Sequence, residues 1–289
     1  MKNSKKKILL TGASGFLGRH TLSLLQKYYD VYPVYRNKKV HDTVNGIFLD
    51  LALYDTFHEY EKLFKSIDIV VHLSSTIPSH ETNDPYYLQN IMSTVNLIKA
   101  FPHVEKFLLA STVDVYGTSF VNPLTENTAT HPENYYAISK LTSEYFVSEA
   151  LKTHAIILRF SQIYGSGDNS LKIIPTFLHA LKNNQQNITT GDLSAMRDYI
   201  FVTDAAEAIR LAIGSNVSGV FNVATGTSYK ISDALEKIRA IARKEIIIHA
   251  TPGKKIDYYF NINKAKNMLH FLPKTSLENG LTQMISNEL

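Results

Sequence analysis

Three glycines govern what this chain of 289 residues can fold into. They stand in the stretch KILLTGASGFLGRH, residues 7–20, as Gly12, Gly15 and Gly18, a G-x-x-G-x-x-G spacing. Ile8-Leu9-Leu10 before them is brief, continuous and apolar and reads as a buried strand. Phe16-Leu17 and Leu22, Leu24 and Leu25 behind them read as the apolar face of a helix. A chain passing directly from strand to helix must turn sharply, and residues without a Cβ let its backbone approach whatever sits there. The unpaired N–H groups and partial positive charge of the following helix favour a pyrophosphate. The usual dinucleotide turn, G-x-G-x-x-G, is one residue shorter in its first interval, so this loop alone also fits glycines that serve packing.

Beyond the loop, short apolar runs alternate with amphipathic stretches, the pattern of a parallel sheet covered by helices. Strands are expected at 31–35, 46–49, 67–73, 106–110 and 155–160, and helices notably at 85–101 and 135–151. The fold class is therefore α/β, a doubly wound parallel sheet. With 44% hydrophobic residues the chain can bury a sizeable core. After Phe160 the alternation loosens, so a smaller lobe is expected over 161–199 and 223–289, the chain rejoining the first domain (1–160) at about 200–222. Basic residues exceed acidic ones by only 30 to 26, and Lys2, Lys5, Lys6 and Lys7 carry most of the surplus. That run reads as a solvated face, and no nucleic-acid partner is expected. Without cysteine there are neither disulfides nor thiolate metal sites, and no metal is expected. No apolar stretch has the length of a secretory signal or a membrane span, so a cytoplasmic protein is expected.

The end of the second strand bears on the kind of dinucleotide. An acid there accepts from the ribose hydroxyls of NAD, whereas an arginine pairs with the 2′-phosphate of NADP. Tyr35-Arg36-Asn37-Lys38-Lys39 holds no acid, which favours NADP(H) over NAD(H), although a solvated basic turn would read the same. Asp50 follows the third strand, where its carboxylate can accept from an adenine amino group or cap a helix. Further on, Tyr136 and Lys140 lie four apart in a helical stretch and share a face. A nearby ammonium favours the phenolate, so this spacing suits a proton donor whose pKa the lysine lowers. Tyr135 has Ser139 at that spacing instead. The pair opens the helix after the fifth strand, and ligands of open α/β sheets bind at the strands' C-terminal edge. At that edge ASTVDVYG, residues 110–117, supplies Thr112, whose hydroxyl can hydrogen-bond a substrate oxygen beside Tyr136.

Taken together, TGASGFLG, Asp50-Leu51, DIVVHLSS (68–75), STVDVYG (111–117) and YYAISK (135–140) resemble the extended short-chain dehydrogenase/reductases, the NAD(P)-dependent nucleotide-sugar epimerase/dehydratase/reductase family. LRFSQIYG (158–165), RDYIFVTDAAEAI (197–209), FNVATG (221–226) and the closing NKAKNML continue the likeness in the family's order. The resemblance implies a Rossmann-type domain with a smaller lobe closing over a nucleotide sugar. Carried onto matching positions, it makes Tyr136 the general acid/base, Lys140 the holder of the nicotinamide ribose and Thr112 the partner of the reacting oxygen. Gly12, Gly15 and Gly18 become the pyrophosphate turn, Asp50 the adenine contact, and Ser74 and Ser75 part of the cofactor wall. Ser14, Phe16, Leu17, Arg36, Leu51, Leu73 and Asn90 complete the expected cofactor set. Ser111, Thr112, Gln162 and Arg197 form the expected substrate set, Arg197 matching an arginine that contacts phosphates, although a local Arg197–Asp198 ion pair would read the same.

Departures from the family pattern narrow the reaction. Dehydratases carry adjacent Asp and Glu after the catalytic Thr, where this chain has Val113 and Asp114. Relatives show Asn where Gln162 stands, and the stretch His249-Ala250-Thr251-Pro252-Gly253-Lys254-Lys255 lacks the family's arginine, leaving Lys254 or Lys255 to replace its charge. The expected activity is NADPH-dependent reduction of a 4-keto-6-deoxy sugar nucleotide. Two alternatives stay open: an NAD-dependent nucleotide-sugar 4-epimerase, and a non-catalytic dinucleotide-binding sensor. The expected partners are a nucleotide-sugar substrate and a second copy of the chain, paired through helices 85–101 and 135–151, whose apolar stripes burial in the fold's own core would equally explain.

Overall fold

Strand β1 (Lys7–Thr11) sends Ile8 and Leu10 into one hydrophobic core and Leu9 into another, because successive strand side chains point to opposite faces. Burial on both faces is why this strand is continuously apolar. The structure is a computed structural model that describes residues 5–36, 46–76, 87–251, 253 and 255–289. From β1 the chain runs through α1 (Phe16–Leu25), β2 (Asp30–Tyr35), β3 (Ile47–Phe48), α2 (Glu61–Phe64), β4 (Ile69–His72) and α3 (Tyr87–Ala100). Then come β5 (Lys106–Thr112), α4 (Tyr135–Leu151), β6 (Ala155–Phe160), β7 (Gln162–Tyr164), α5 (Ile173–Lys182) and β8 (Asn187–Thr190). The rest comprises β9 (Met196–Phe201), α6 (Val202–Gly214), β10 (Gly219–Val223), β11 (Ser228–Lys230), α7 (Ile231–Ala242), β12 (Ile247–Ala250), α8 (Asn263–Met268) and α9 (Leu277–Glu288).

Seven strands form one sheet in the order β3-β2-β1-β4-β5-β6-β10, every neighbouring pair parallel. The chain leaves β1 for one edge and returns at β4 on its other side, so a crevice opens over the C-terminal ends of these two strands. Leu25 of α1 and Ala208, Ile209 and Ala212 of α6 fill the core on one face. On the other face lie Leu97 of α3 and Val147 and Leu151 of α4. This is the doubly wound α/β sheet the alternation called for. The helix expected at 135–151 spans those residues, with Asn134 capping it by accepting from Ala137 N at 2.8 Å. The strand expected at 46–49 is only Ile47–Phe48. Residues 85 and 86 of the expected helix 85–101 lie outside the described residues.

The second half builds two small sheets beside the large one. In one, β9 pairs in parallel with β7 and antiparallel with β11; in the other, β12 lies parallel to β8. Phe177, Leu235, Ile238, Leu281 and Met284 of α5, α7 and α9 share a core with Tyr199 and Phe201 of β9. β9 runs straight into α6, so Ile200 already joins the large sheet's core while Phe201 faces the smaller one. Residues 263–271 follow the second half in sequence, yet Ala265, Leu269 and Phe271 pack beneath the large sheet.

Helix α9 is seated by an absent side chain. A Cβ on Gly280 would lie 2.1 Å from the Tyr164 hydroxyl and 2.8 Å from Phe201 Cδ2. Tyr164 is fully buried and donates to the Leu277 carbonyl at 3.3 Å, so it has nowhere to retreat. Gly280→Ala is expected to cost about 1–3 kcal/mol by overpacking, read as a lower urea midpoint.

Candidate active site

The glycine turn is tight in a way that answers whether a dinucleotide fits. Gly12 takes φ +70°, and a Cβ there would stand 2.6 Å from Ser74 N. A Cβ on Gly18 would lie 1.9 Å from the Gly12 carbonyl oxygen, so α1 packs its first turn directly onto the loop. Gly15 N donates to that same oxygen at 2.9 Å. Helix α1 has no side-chain cap and no acid in its first turn, leaving its N–H groups to an anion. Above the turn opens a cleft of about 440 Å³. These features fit a pyrophosphate.

Most of the expected residues meet in this one cleft. Its walls include Gly12, Ser14, Gly15, Phe16, Leu17 and Gly18 of the turn, Arg36 and Leu51 at one end, and Leu73, Ser74 and Ser75 after β4. Ser111, Thr112, Tyr136 and Lys140 close the other end. Val34, Leu49 and Leu51 give the Arg36 end an apolar floor suited to a flat base. Asn37, Lys38 and Lys39 lie outside the described residues.

Asp50 and Asn90 are placed differently, because backbone groups claim them. Asp50 accepts from Ala52 N at 2.9 Å, and Asn90 accepts from Thr76 N at 2.7 Å while donating to Ser139 Oγ at 3.1 Å. Neither forms part of the cleft wall; each holds a loop that does. Gln162 and Arg197 line a second cavity of about 340 Å³, and Lys172 lines both cavities. Arg197 donates to the carbonyls of Met196 at 2.9 Å and Ile256 at 2.5 Å, and lies 5.1 Å over the Tyr258 ring. The local pair with Asp198 does not form. That carboxylate instead accepts from Ser161 Oγ at 3.2 Å, Thr225 N at 2.8 Å and Gly226 N at 2.7 Å. Arg197, held by these carbonyls and the Tyr258 ring, thus reaches a wall it shares with Asp192. Lys254 lies outside the described residues, and Lys255 pairs with Asp257 at 3.3 Å.

At the chemical end, Thr112 Oγ1 accepts from Asp114 N at 3.2 Å, which leaves its own proton free to donate into the cleft. Ser111 lines the cleft too, but its hydroxyl is committed to Glu144. Ser75, named above only as cofactor wall, lines the cleft with Tyr136 and lowers the Tyr136 pKa slightly. One expectation needs correcting. Tyr136 is pushed up from its ordinary pKa, first by burial and then by the charge of Asp114, with Ser75 only partly opposing. Burial penalises the phenolate more than the shared helix face can favour it. At neutral pH Tyr136 is thus a protonated phenol. Lys140 bears the opposite strain: burial lowers it to about 8, against the pull of Glu144.

Two features had no sequence signal. His72 is buried, and burial together with the charge of Lys140 holds it neutral, at about 3. Its ring bonds Thr11 Oγ1 at 2.7 Å and Thr94 Oγ1 at 3.2 Å, while Ser74 N donates to the same Thr11 oxygen at 3.2 Å, which fastens the β4 loop to β1. The other is a buried ion pair, Arg159 Nη2 on Glu144 at 2.6 Å, with Arg159 stacked 4.8 Å over Tyr116. Among the described residues no cluster of His, Asp and Glu could hold a metal, and no helix is long and apolar enough to cross a membrane.

The model of the NAD dependent epimerase/dehydratase family matches residues 8–224, three quarters of the chain and every cleft residue named above. The chain belongs to this family. It is thereby an extended short-chain dehydrogenase/reductase. It is 26% identical over 320 residues to the dTDP-4-dehydro-6-deoxyglucose reductase of Escherichia coli, covering 99% of each chain. A UDP-glucuronic acid 4-epimerase from Bacillus cereus, solved with UDP-glucuronic acid and NAD, superposes with a TM-score of 0.85 at 25% identity over 97% of this chain and 98% of that one. The Pseudomonas aeruginosa RMD complexed with NADPH shares the fold, with a TM-score of 0.84 at 22% identity over 98% of both chains.

The depressed Lys140 pKa is also a statement about stability. In the unfolded chain the lysine holds its proton up to about pH 10.5, in the native state only to about 8. The native state therefore bears a cost below pH 8 that fades as the pH rises to the unfolded value. Lys140→Met is expected to stabilise the epimerase/dehydratase-family fold at pH 7 by roughly 3 kcal/mol, with the gain shrinking between pH 8 and 10.5 in urea titrations.

Proposed function

We propose that the chain is an NADPH-dependent reductase of a 4-keto, 6-deoxy sugar nucleotide. The observation that carries this reading is Arg36, which lies on the cleft wall at the end of β2, within the same cavity as the glycine turn and Tyr136. A guanidinium there suits a 2′-phosphate and gives no acceptor to ribose hydroxyls. The likeness to the Escherichia coli reductase over 99% of both chains agrees with it.

When bound, the reduced nicotinamide supplies hydride to the carbonyl carbon of the sugar. Tyr136 gives its phenolic proton to the carbonyl oxygen, a step for which a protonated tyrosine is the right starting state. Thr112 donates a hydrogen bond to the same oxygen, and the Lys140 ammonium stabilises the phenolate left behind. Arg197 and Gln162 line the cavity we assign to the nucleotide end of the substrate. On this reading the large sheet is the cofactor half, and the two small sheets with α5, α7 and α9 are the sugar-nucleotide half. A 4-epimerase would use the same residues, and the resemblance to the Bacillus cereus enzyme makes it the second reading.

Nucleotide-stripped protein should bind NADPH at least tenfold more tightly than NADH, a gap of about 1.4 kcal/mol that Arg36→Ala removes in calorimetry. A 4-keto sugar nucleotide should then oxidise NADPH stoichiometrically. Equal or tighter NADH binding, with NAD retained through purification and no reductant required, would move the assignment to the epimerase.

We further propose a homodimer through α3 and α4. Leu88 and Met92 on α3 and Tyr135, Ile138, Tyr145 and Phe146 on α4 stay exposed, so the fold's own core does not account for these stripes. Sedimentation should give twice the chain mass, and Leu88→Glu with Tyr145→Glu should give the monomer; a monomeric wild type would end this proposal.

A further inference from the structure

Glu144 has no role in the reaction as assigned, yet it is a carboxylate only 4% exposed. It is held from three directions. Ser111 donates to Oε1, Arg159 Nε donates to the same oxygen at 3.1 Å, and Arg159 Nη2 donates to Oε2 at 2.6 Å. Strand register makes this possible, since Ser111 of β5 and Arg159 of β6 are paired neighbours beneath α4. A buried ion pair of this kind seldom repays its desolvation in stability alone.

One helical turn earlier on the same buried face stands Lys140, 2% exposed. Among the described residues it has no hydrogen-bond partner, and it makes no contact ion pair with Glu144. The ionisable groups around it are few. His72 faces it from β4 and is neutral; Arg159 on β6 is a like charge; Asp114, in the turn after β5, and Tyr87 of α3 act on Tyr136. Glu144 is the negative charge that opposes the burial of Lys140. Because Ser111 and Arg159 keep that carboxylate to themselves, it attracts the ammonium without closing onto it.

We propose that Glu144 is a positioning residue whose carboxylate, pinned by Ser111 and Arg159, holds Lys140 as a free ammonium at the wall of the cleft. This rests on the reading of Tyr136 and Lys140 as the proton-transfer pair. No proton passes through Glu144. The proton leaves Tyr136 for the substrate oxygen, Lys140 keeps its own, and the phenolate left behind meets a cation.

The test follows Lys140 directly in the full-length, ligand-free protein. Lysine 13Cε resonances are titrated by NMR, with the Lys140 signal assigned by its loss in Lys140→Arg. The wild type should titrate near 8, Glu144→Gln at least about one unit lower, and Glu144→Asp between the two. An unchanged midpoint in Glu144→Gln overturns the proposal. If Glu144→Gln does not fold, Glu144→Asp, which draws the same charge back by one methylene, carries the test: its Lys140 midpoint must fall below that of the wild type, and a midpoint at the wild-type value is the same refutation. In the reductase assay, Glu144→Gln should draw the alkaline limb of kcat to lower pH, whereas damage to packing alone would lower kcat equally at every pH. A protein that reduces no 4-keto sugar but shows the NMR shift loses the assigned reaction and keeps the role of Glu144; reduction without the shift does the reverse.

Discussion

The seam between the β1 turn and the end of β4 carries the rest of the molecule. Gly12 meets the backbone of Ser74 where any side chain would collide, and Gly18 brings the first turn of α1 against the Gly12 carbonyl. Thr11 and His72 fasten the same seam from beneath. Only with these backbones in contact do the unpaired N–H groups of α1 and the Leu73–Ser75 wall face one cavity. Tyr136 faces that same wall across the cleft, which Ser74 and Ser75 line with it.

Electrostatics at the other end of the cleft divides labour between two groups, a buried Lys140 and a half-buried Tyr136. Removal from water keeps the tyrosine protonated and strips the lysine of part of its hold on a proton, so the natural order of these two acids is pulled apart. A protonated tyrosine beside a lysine of lowered pKa is the arrangement on which the proposed carbonyl reduction rests. Its cost in fold stability is the usual one for a site whose groups are needed for chemistry.

The features visible in the sequence are those with a fixed local period. Glycine spacing, the i, i+4 relation of Tyr136 and Lys140 and the strand-helix alternation depend on near neighbours, and these gave the doubly wound sheet and gathered one cleft around Thr112, Tyr136 and Lys140. Asp50 and Asn90 were less legible because their partners, Ala52 N and Thr76 N, are backbone groups that no residue pattern advertises. The Glu144–Arg159 pair needs β5 and β6 in register before its members meet. The direction of the Tyr136 shift is hidden from the sequence for a related reason. Spacing reveals a neighbouring charge, but only the assembled fold reveals how little water remains.

Asp198 sits where the chain trades one sheet for another. Its carboxylate joins the residue after β6 to two residues after β10, while its own strand passes into α6 without a spacer. Three crossings between the two halves are therefore tied at one buried knot. Loosening that one carboxylate would free all three crossings together, so the junction of the halves should fail as a unit and not strand by strand.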